Sequence, residues 1–136
     1  MLVARLCIDF GLFILIWMVQ LIVYPSFIYI DANLFSQWHD KYTGLISVFV
    51  VPLMFTQVGL VLYQFITTQK VLVLIVGLLV LLIWINTFLY AIPCHNKLQV
   101  GKDLEVVEQL IKINWWRTIL WSLVCGISLY LYIKNK

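Results

Sequence analysis

Four polar residues of this chain have side chains suited to chemistry, and each lies near the end of a long apolar stretch. They are two histidines, an asparagine and an arginine: His39, His95, Asn114 and Arg117. A neutral histidine can act as a general acid or base near pH 7, while arginine and asparagine can stabilise a developing oxyanion. We therefore predict these four residues as the catalytic set. The alternative is that the arginine reaches for lipid headgroups and the histidines have no chemical role.

The two histidines could also bind a metal ion or haem. A metal site would combine His39 and His95 with Cys94, Glu108 or Asp40, and a haem could take the histidines as axial ligands. The sequence has no H-x-x-x-H or C-x-x-C spacing, no phosphate-binding glycine loop and no dinucleotide fingerprint. No cofactor is therefore indicated by a motif, and haem or a metal ion stays an open alternative.

Aromatic and amide side chains accompany the four polar residues. The predicted substrate-binding residues are Trp38, Trp115, Trp121, Gln20, Tyr24 and Tyr90. A pocket for a flat hydrophobic molecule would use aromatic walls and a few polar groups of this kind. The alternative is an aromatic belt at the level of the lipid headgroups, with the amide forming an ordinary hydrogen bond between helices.

Four long apolar stretches must position these side chains. The chain has 136 residues, of which 64% are hydrophobic and 11% charged, whereas soluble domains have about 25% charged residues. The stretches cover about 6–28, 43–66, 71–93 and 114–133, and about 20 residues suffice for a helix to cross the ~30 Å hydrocarbon layer. They show no alternation of period two. We predict one all-α domain over residues 1–136, an integral membrane four-helix up-down bundle with two structured interfacial loops on one side.

The distribution of charged residues limits the classes of partner and indicates an orientation in the membrane. Ten of the fifteen charged residues lie in 31–41 and 97–117, which fall on the same side of such a bundle. The net charge of +3, without a run of Lys or Arg, argues against nucleic acid. The expected partners are the lipid bilayer and a lipophilic small molecule, with an oligomer left open. The positive charges in short terminal segments favour cytoplasmic termini in a bacterial inner membrane.

Prolines and capping residues predict where the helices begin and end. Pro25 and Pro93 should end the first and third spans, because proline cannot continue the hydrogen-bond ladder. Asp31 and Asn33 are both residue types that could cap a short separate helix over 34–42. Asp103 should cap an amphipathic helix that either continues into the fourth span or lies in the interface before it.

Several of these residues together resemble a known family. The matching elements are Tyr24-Pro25, Asp31, Phe35, His39, Pro52, Pro93-x-His95-x-x-Leu98 and Asn114-Trp115-x-Arg117-Thr118-x-x-Trp121. They resemble the small four-span bacterial and fungal membrane proteins that are grouped with anthrone oxygenases. The resemblance implies a membrane-embedded, oxygenase-like enzyme that acts on a flat, lipophilic, phenol-type substrate without an organic cofactor. The positions that match its pattern are His39, His95, Asn114 and Arg117.

The functional hypothesis is thus a small membrane enzyme, oxidoreductase-like, with a site near the loop-side interface. The first alternative is a non-enzymatic protein that binds haem, a metal or a lipid headgroup, or that assembles with a partner. A weaker alternative is a subunit of a transport complex. The sequence alone leaves open whether the chain is an enzyme.

Overall fold

The computed structural model describes residues 1–135, which form four long helices. We label them α1 (Leu2–Tyr29), α2 (Ala32–Thr68), α3 (Val71–Val100) and α4 (Leu104–Lys134). No β-strand occurs among the described residues, so the predicted all-α fold class is confirmed. Lys136, which carries one of the positive charges of the short terminal segments, lies outside the described residues.

All four helices are long and apolar enough to cross a membrane. At 1.5 Å per residue, the 37 residues of α2 extend about 55 Å, well beyond a hydrocarbon layer of about 30 Å. Large apolar side chains such as Phe49, Phe55 and Leu62 are exposed on its surface, as expected for a face that contacts lipid. A helix of this length extends beyond the hydrocarbon layer unless it is strongly tilted.

The helices form a closed ring in which each one packs against its sequence neighbours and α1 packs against α4. Two apolar cores fill the ring at different depths. The core near the connectors that follow α1 and α3 includes Phe27, Phe35 and Leu110. The core nearer the termini includes Leu12 and Ile83. We call the end of the bundle with the connectors after α1 and α3 the loop side, and the end with the two termini the terminal side.

The prediction that Pro25 and Pro93 end their helices is wrong. Each proline follows a π-helical turn of five residues, at Val19–Val23 and Thr87–Ala91. Helical structure then continues to Tyr29 and Val100. A proline ring clashes with the carbonyl of the residue four positions earlier and lacks an N–H. A wider turn just before the proline moves that carbonyl away from the ring. The hydrogen-bond pattern therefore changes locally and the helix continues.

The predicted separate helix over 34–42 is also wrong, because these residues are the beginning of the uninterrupted α2. Asp31 does cap it, accepting a hydrogen bond from the Asn33 N–H at 2.8 Å. Asp103 caps α4 as predicted, with bonds from the N–H groups of Glu105 at 3.0 Å and Val106 at 3.2 Å. The predicted continuation of this helix into the fourth span is confirmed.

These caps give a first testable expectation. Replacing Asp103 by alanine leaves two N–H groups without their acceptor, and we expect the free energy of unfolding to fall by about 1 kcal/mol. Thermal unfolding in detergent, followed by circular dichroism, measures the change. Asp103→Asn should retain most of the stability because asparagine caps helices equally well, and Glu108→Ala, on an exposed side chain, is the control. Equal losses for Asp103→Asn and Asp103→Ala would show that the cap is not the cause.

Candidate functional site

A chain of three side chains joined by hydrogen bonds lies on the loop side of the bundle. The hydroxyl of Tyr24 lies 3.0 Å from Nε2 of His95. The other ring nitrogen of His95, Nδ1, lies 3.0 Å from Nε2 of His39. His39 is fully buried and its Nδ1 has no partner. A shift of one proton along each of these two bonds can therefore move charge between the tyrosine hydroxyl and His39.

The two π-helical turns bring this chain of side chains together. Tyr24 directly follows the turn in α1 and precedes Pro25, while His95 lies two residues after Pro93 in α3. His39 faces them from α2, two turns beyond the Asp31 cap. Single π-helical turns inside α-helices are frequent at functional sites because they redirect side chains. Here the sequence device that places both reactive groups is a proline preceded by a widened turn.

A second set of polar side chains joins α1 to α4 beside the first. Asn114 donates through Nδ2 to Oε1 of Gln20 at 2.9 Å, and Arg117 donates through Nη1 to Oδ1 of Asn114 at 3.2 Å. The Thr118 hydroxyl donates to the backbone carbonyl of Asn114 at 2.9 Å and lies 3.4 Å from the Gln20 oxygen. All four side chains are buried. The amide of Asn114 is thus fixed in both orientation and depth, and it fixes one arm of the arginine.

Arg117 retains binding capacity inside this arrangement. Its Nε is buried and has no hydrogen-bond partner. The guanidinium carbon lies 5.2 Å from the centroid of the Trp121 ring, a cation–π contact whose strength rises when water is excluded. A buried donor without an acceptor is costly. Arg117 therefore keeps one buried N–H group without an acceptor.

A cavity of about 260 Å³ adjoins both sets of side chains. Tyr24, His95 and Arg117 contribute to its wall, as does Tyr42 of α2. Apolar residues of α1, α2 and α3 also line it: Leu15, Ile16, Val19, Ile46, Val50, Ala91 and Ile92. An apolar cavity with a few convergent polar groups is the usual form of a small-molecule site. Exposed residues of α2 and α3, such as Ser47 and Gln99, also line it, so it opens between these helices.

The metal and haem alternatives can be compared with the donor atoms present. Among residues 1–135, no group of three or more His, Cys, Asp or Glu side chains is placed to hold a metal ion. His95 uses both ring nitrogens within the protein, and only Nδ1 of His39 is free. A metal between the two histidines would need further ligands of other types and the loss of their mutual hydrogen bond.

The structure brings together most of the predicted site residues but not all of them. His39, His95, Asn114 and Arg117 form the two connected sets with Gln20 and Tyr24, and Trp121 lies beneath the arginine. The other three aromatics lie elsewhere. Tyr90 is 52% exposed on the outer surface, and Trp115 is 40% exposed and packs edge-on against Trp17. Trp38 stacks on Tyr42 and lines a shallow outer groove.

One buried polar cluster escaped the sequence reasoning. Arg5 and Asp9 form an ion pair on the terminal side, at 3.4 Å between Nε and Oδ2, with both side chains buried. Gln57, Gln64 and Ser128 hydrogen-bond to this pair. The signal was present in the sequence, because a single acid within an apolar span, four residues after an arginine, favours a buried pair on one helix face.

Comparisons of this chain with protein-family models, with characterised proteins and with solved structures find no match. The resemblance to proteins grouped with anthrone oxygenases therefore has no support beyond the matching residues of this sequence.

Proposed function

We propose that this chain is an integral membrane enzyme of oxidoreductase type, which activates a lipophilic, phenol-type molecule by removing a proton. The observation that carries the proposal is the hydrogen-bonded chain from Tyr24 through His95 to His39 beside a cavity that also contains Arg117. A base and an oxyanion partner that face one apolar cavity are the minimum needed to form and hold a substrate anion.

The proton can be followed atom by atom. A substrate in the cavity gives a proton to the Tyr24 oxygen as the tyrosine proton passes to Nε2 of His95. The proton on Nδ1 of His95 passes to Nε2 of His39, which becomes the imidazolium ion. The substrate oxygen, now negatively charged, accepts a hydrogen bond from the guanidinium of Arg117, which lines the cavity. The net change is one proton moved from the substrate to His39.

The oxidation then needs an oxidant. The proposed oxidant is dioxygen, because the family that the chain resembles is grouped with oxygenases. For a substrate with an activated methylene group, such as anthrone, one oxygen atom becomes the new carbonyl oxygen. The other leaves as water with the two methylene hydrogens, one of which returns from His39 through His95 and Tyr24. This stoichiometry balances without an external reductant. It agrees with a site in which the described residues supply acid–base and electrostatic groups.

Dioxygen consumption tests the activity. Purified protein in lipid nanodiscs, supplied with anthrone, should consume one dioxygen per anthrone converted, at a rate well above that in empty nanodiscs. The product is followed by its absorbance and the dioxygen by an electrode. Equal rates with and without protein would contradict an oxygenase function for this substrate class.

Binding provides a second test, with 1-naphthol as a phenol that does not undergo this oxidation. We expect Arg117→Leu to weaken saturable binding at least tenfold, because a hydrogen bond to a charged group contributes about 1.5–3 kcal/mol and 1.4 kcal/mol is a factor of ten. Tryptophan fluorescence quenching in micelles measures it, with protein-free micelles as the blank. Lys112→Leu removes an exposed positive charge from the same helix and is the matched control. Equal affinities in the two variants would show that the arginine does not hold the ligand.

We also propose a bacterial inner membrane as the location, with both termini in the cytoplasm. The support is the positive charge of Lys70 in the short connector between α2 and α3 and of Lys134 at the end of α4, because the positive-inside rule has most weight in and beside short segments. The catalytic cavity would then face the opposite leaflet.

A further inference from the structure

The buried cluster on the terminal side is centred on the carboxylate of Asp9. Gln57 of α2 donates to its Oδ1 at 2.6 Å, and Ser128 of α4 donates to its Oδ2. Arg5, one turn earlier in α1, completes the shell and is bonded in turn to Gln64. The carboxylate therefore ties three helices together at one depth of the bundle.

This cluster is connected to the loop-side site through two side chains. Gln57 gives its Nε2–H to Asp9, so its Oε1 is left to accept a hydrogen bond from the indole Nε1 of Trp121 at 3.2 Å. The face of the same indole lies under the guanidinium of Arg117. Trp121 is fully buried, and its one polar atom is held by Gln57. The contacts therefore form a continuous path from Asp9 to Arg117.

The path spans a considerable distance along the bundle. Asp9 and Gln20 are eleven residues apart on α1, and so are Arg117 and Ser128 on α4, which corresponds to about 16 Å along each helix. Trp121 fills the depth between the two polar layers. A different rotation of the indole about its side-chain bonds would change the position of the Arg117 guanidinium and the electrostatic field that acts on it.

We propose that Asp9 and Gln57 are positioning residues for the loop-side site. The carboxylate orients the Gln57 amide, the amide oxygen fixes the rotation of Trp121, and the indole face holds the guanidinium of Arg117 at the cavity. The consequence for ligand binding rests on the function proposed above, whereas the connection between the two polar layers does not.

Two buried glutamines on α2 make a matched test. Gln57 and Gln64 lie seven residues apart, both near the ion pair, but only Gln57 contacts Trp121. The full chain is labelled with ¹⁵N-tryptophan and ¹⁵N-arginine and studied by NMR in micelles. Trp121→Phe assigns the indole peak of Trp121, and Arg117→Lys assigns the Nε–H peak of Arg117.

We expect Gln57→Leu to shift both peaks and to weaken 1-naphthol binding about five- to tenfold. Gln64→Leu should leave both peaks and the affinity unchanged even if it lowers the thermal stability. Gln57→Glu should restore them, because its carboxyl keeps a proton beside the Asp9 carboxylate and can donate to Asp9 while accepting from the indole. Unchanged Arg117 signals in Gln57→Leu, or equal shifts in Gln64→Leu, would overturn the proposal.

A second variant covers the case in which Gln57→Leu does not fold. Arg5→Met/Asp9→Leu removes the carboxylate that anchors Gln57 together with its counter-charge, and it should shift the same two peaks. If the substitutions at Gln57 or at Arg5 and Asp9 shift both peaks but the wild type does not bind 1-naphthol, the proposed function fails and the positioning path stands. If the wild type binds 1-naphthol but these substitutions leave both peaks unchanged, the positioning path alone fails.

Discussion

Replacing His95 by glutamine should reduce anthrone oxidation at least a hundredfold while leaving 1-naphthol binding within about threefold of the wild type. The amide can hydrogen-bond to Tyr24 and His39, but it cannot accept and release a proton as the imidazole does at 3.0 Å from each neighbour. General acid–base groups typically contribute 10²- to 10⁴-fold to a rate. The initial rate of dioxygen consumption and the dissociation constant measure the two effects separately.

The separation of rate from binding is the informative part of this experiment. If His95 only packed between its neighbours, its loss would lower rate and affinity together, or would lower the amount of folded protein. His39→Gln should show the same pattern with a smaller loss, because Tyr24 can still exchange a proton with His95. Asn96, the next residue along α3, also lines the cavity, so Asn96→Ala is the control for a change of shape near the same wall. A rate unchanged in His95→Gln would remove the histidine from the mechanism.

The architecture could be predicted because the apolar stretches dominate this sequence. Continuous hydrophobicity over some twenty residues has one common solution in lipid, a helix whose backbone groups are satisfied internally. The same reasoning misplaced the helix ends, because it treated Pro25 and Pro93 as breaks. A proline inside a membrane helix is tolerated when neighbouring turns rearrange, and nothing in the local sequence distinguishes a widened turn from an ending.

The widened turns also explain a misplaced site residue. Tyr90 follows Asn86 by four residues, and residues at this spacing share a face in a regular helix. The π-helical turn Thr87–Ala91 contains Tyr90 and has more residues per turn, so the face changes between the two. The tyrosine is consequently exposed. The prediction for His95 did not depend on a helical period, because it rested on the position of this residue at the end of the third apolar stretch.

The ion pair on the terminal side shows what a single sequence cannot supply. Arg5 and Asp9 are neighbours on one helix face, and this contact is readable from their spacing. The hydrogen bonds that Asp9 accepts from Gln57 and Ser128 depend on the rotation and depth of α2 and α4 relative to α1. Many rotations bury enough apolar surface, and the polar contacts select among them. The network is therefore visible only once the helices are placed.

The same network should determine the stability of the bundle. Replacing Asp9 by alanine leaves Arg5 buried without its counter-charge, and its side chain is only 2% exposed. We expect the free energy of unfolding to fall by about 3–5 kcal/mol, the usual cost of removing one partner of a buried pair. Unfolding in mixed micelles of increasing sodium dodecyl sulfate content, followed by circular dichroism, measures the loss.

Removing both charges should cost much less than removing one. In Arg5→Met/Asp9→Leu, apolar side chains of similar size replace the pair, and such replacements are often neutral or stabilising. The unpaired hydrogen-bonding groups of Gln57 and Ser128 keep the recovery incomplete. Asp9→Asn, which retains the acceptor for Gln57, should fall between Asp9→Ala and the wild type. A loss below about 1 kcal/mol in Asp9→Ala would mean that Arg5 escapes to the nearby interface by extending its side chain, and the pair would then contribute little to holding α1, α2 and α4 in register.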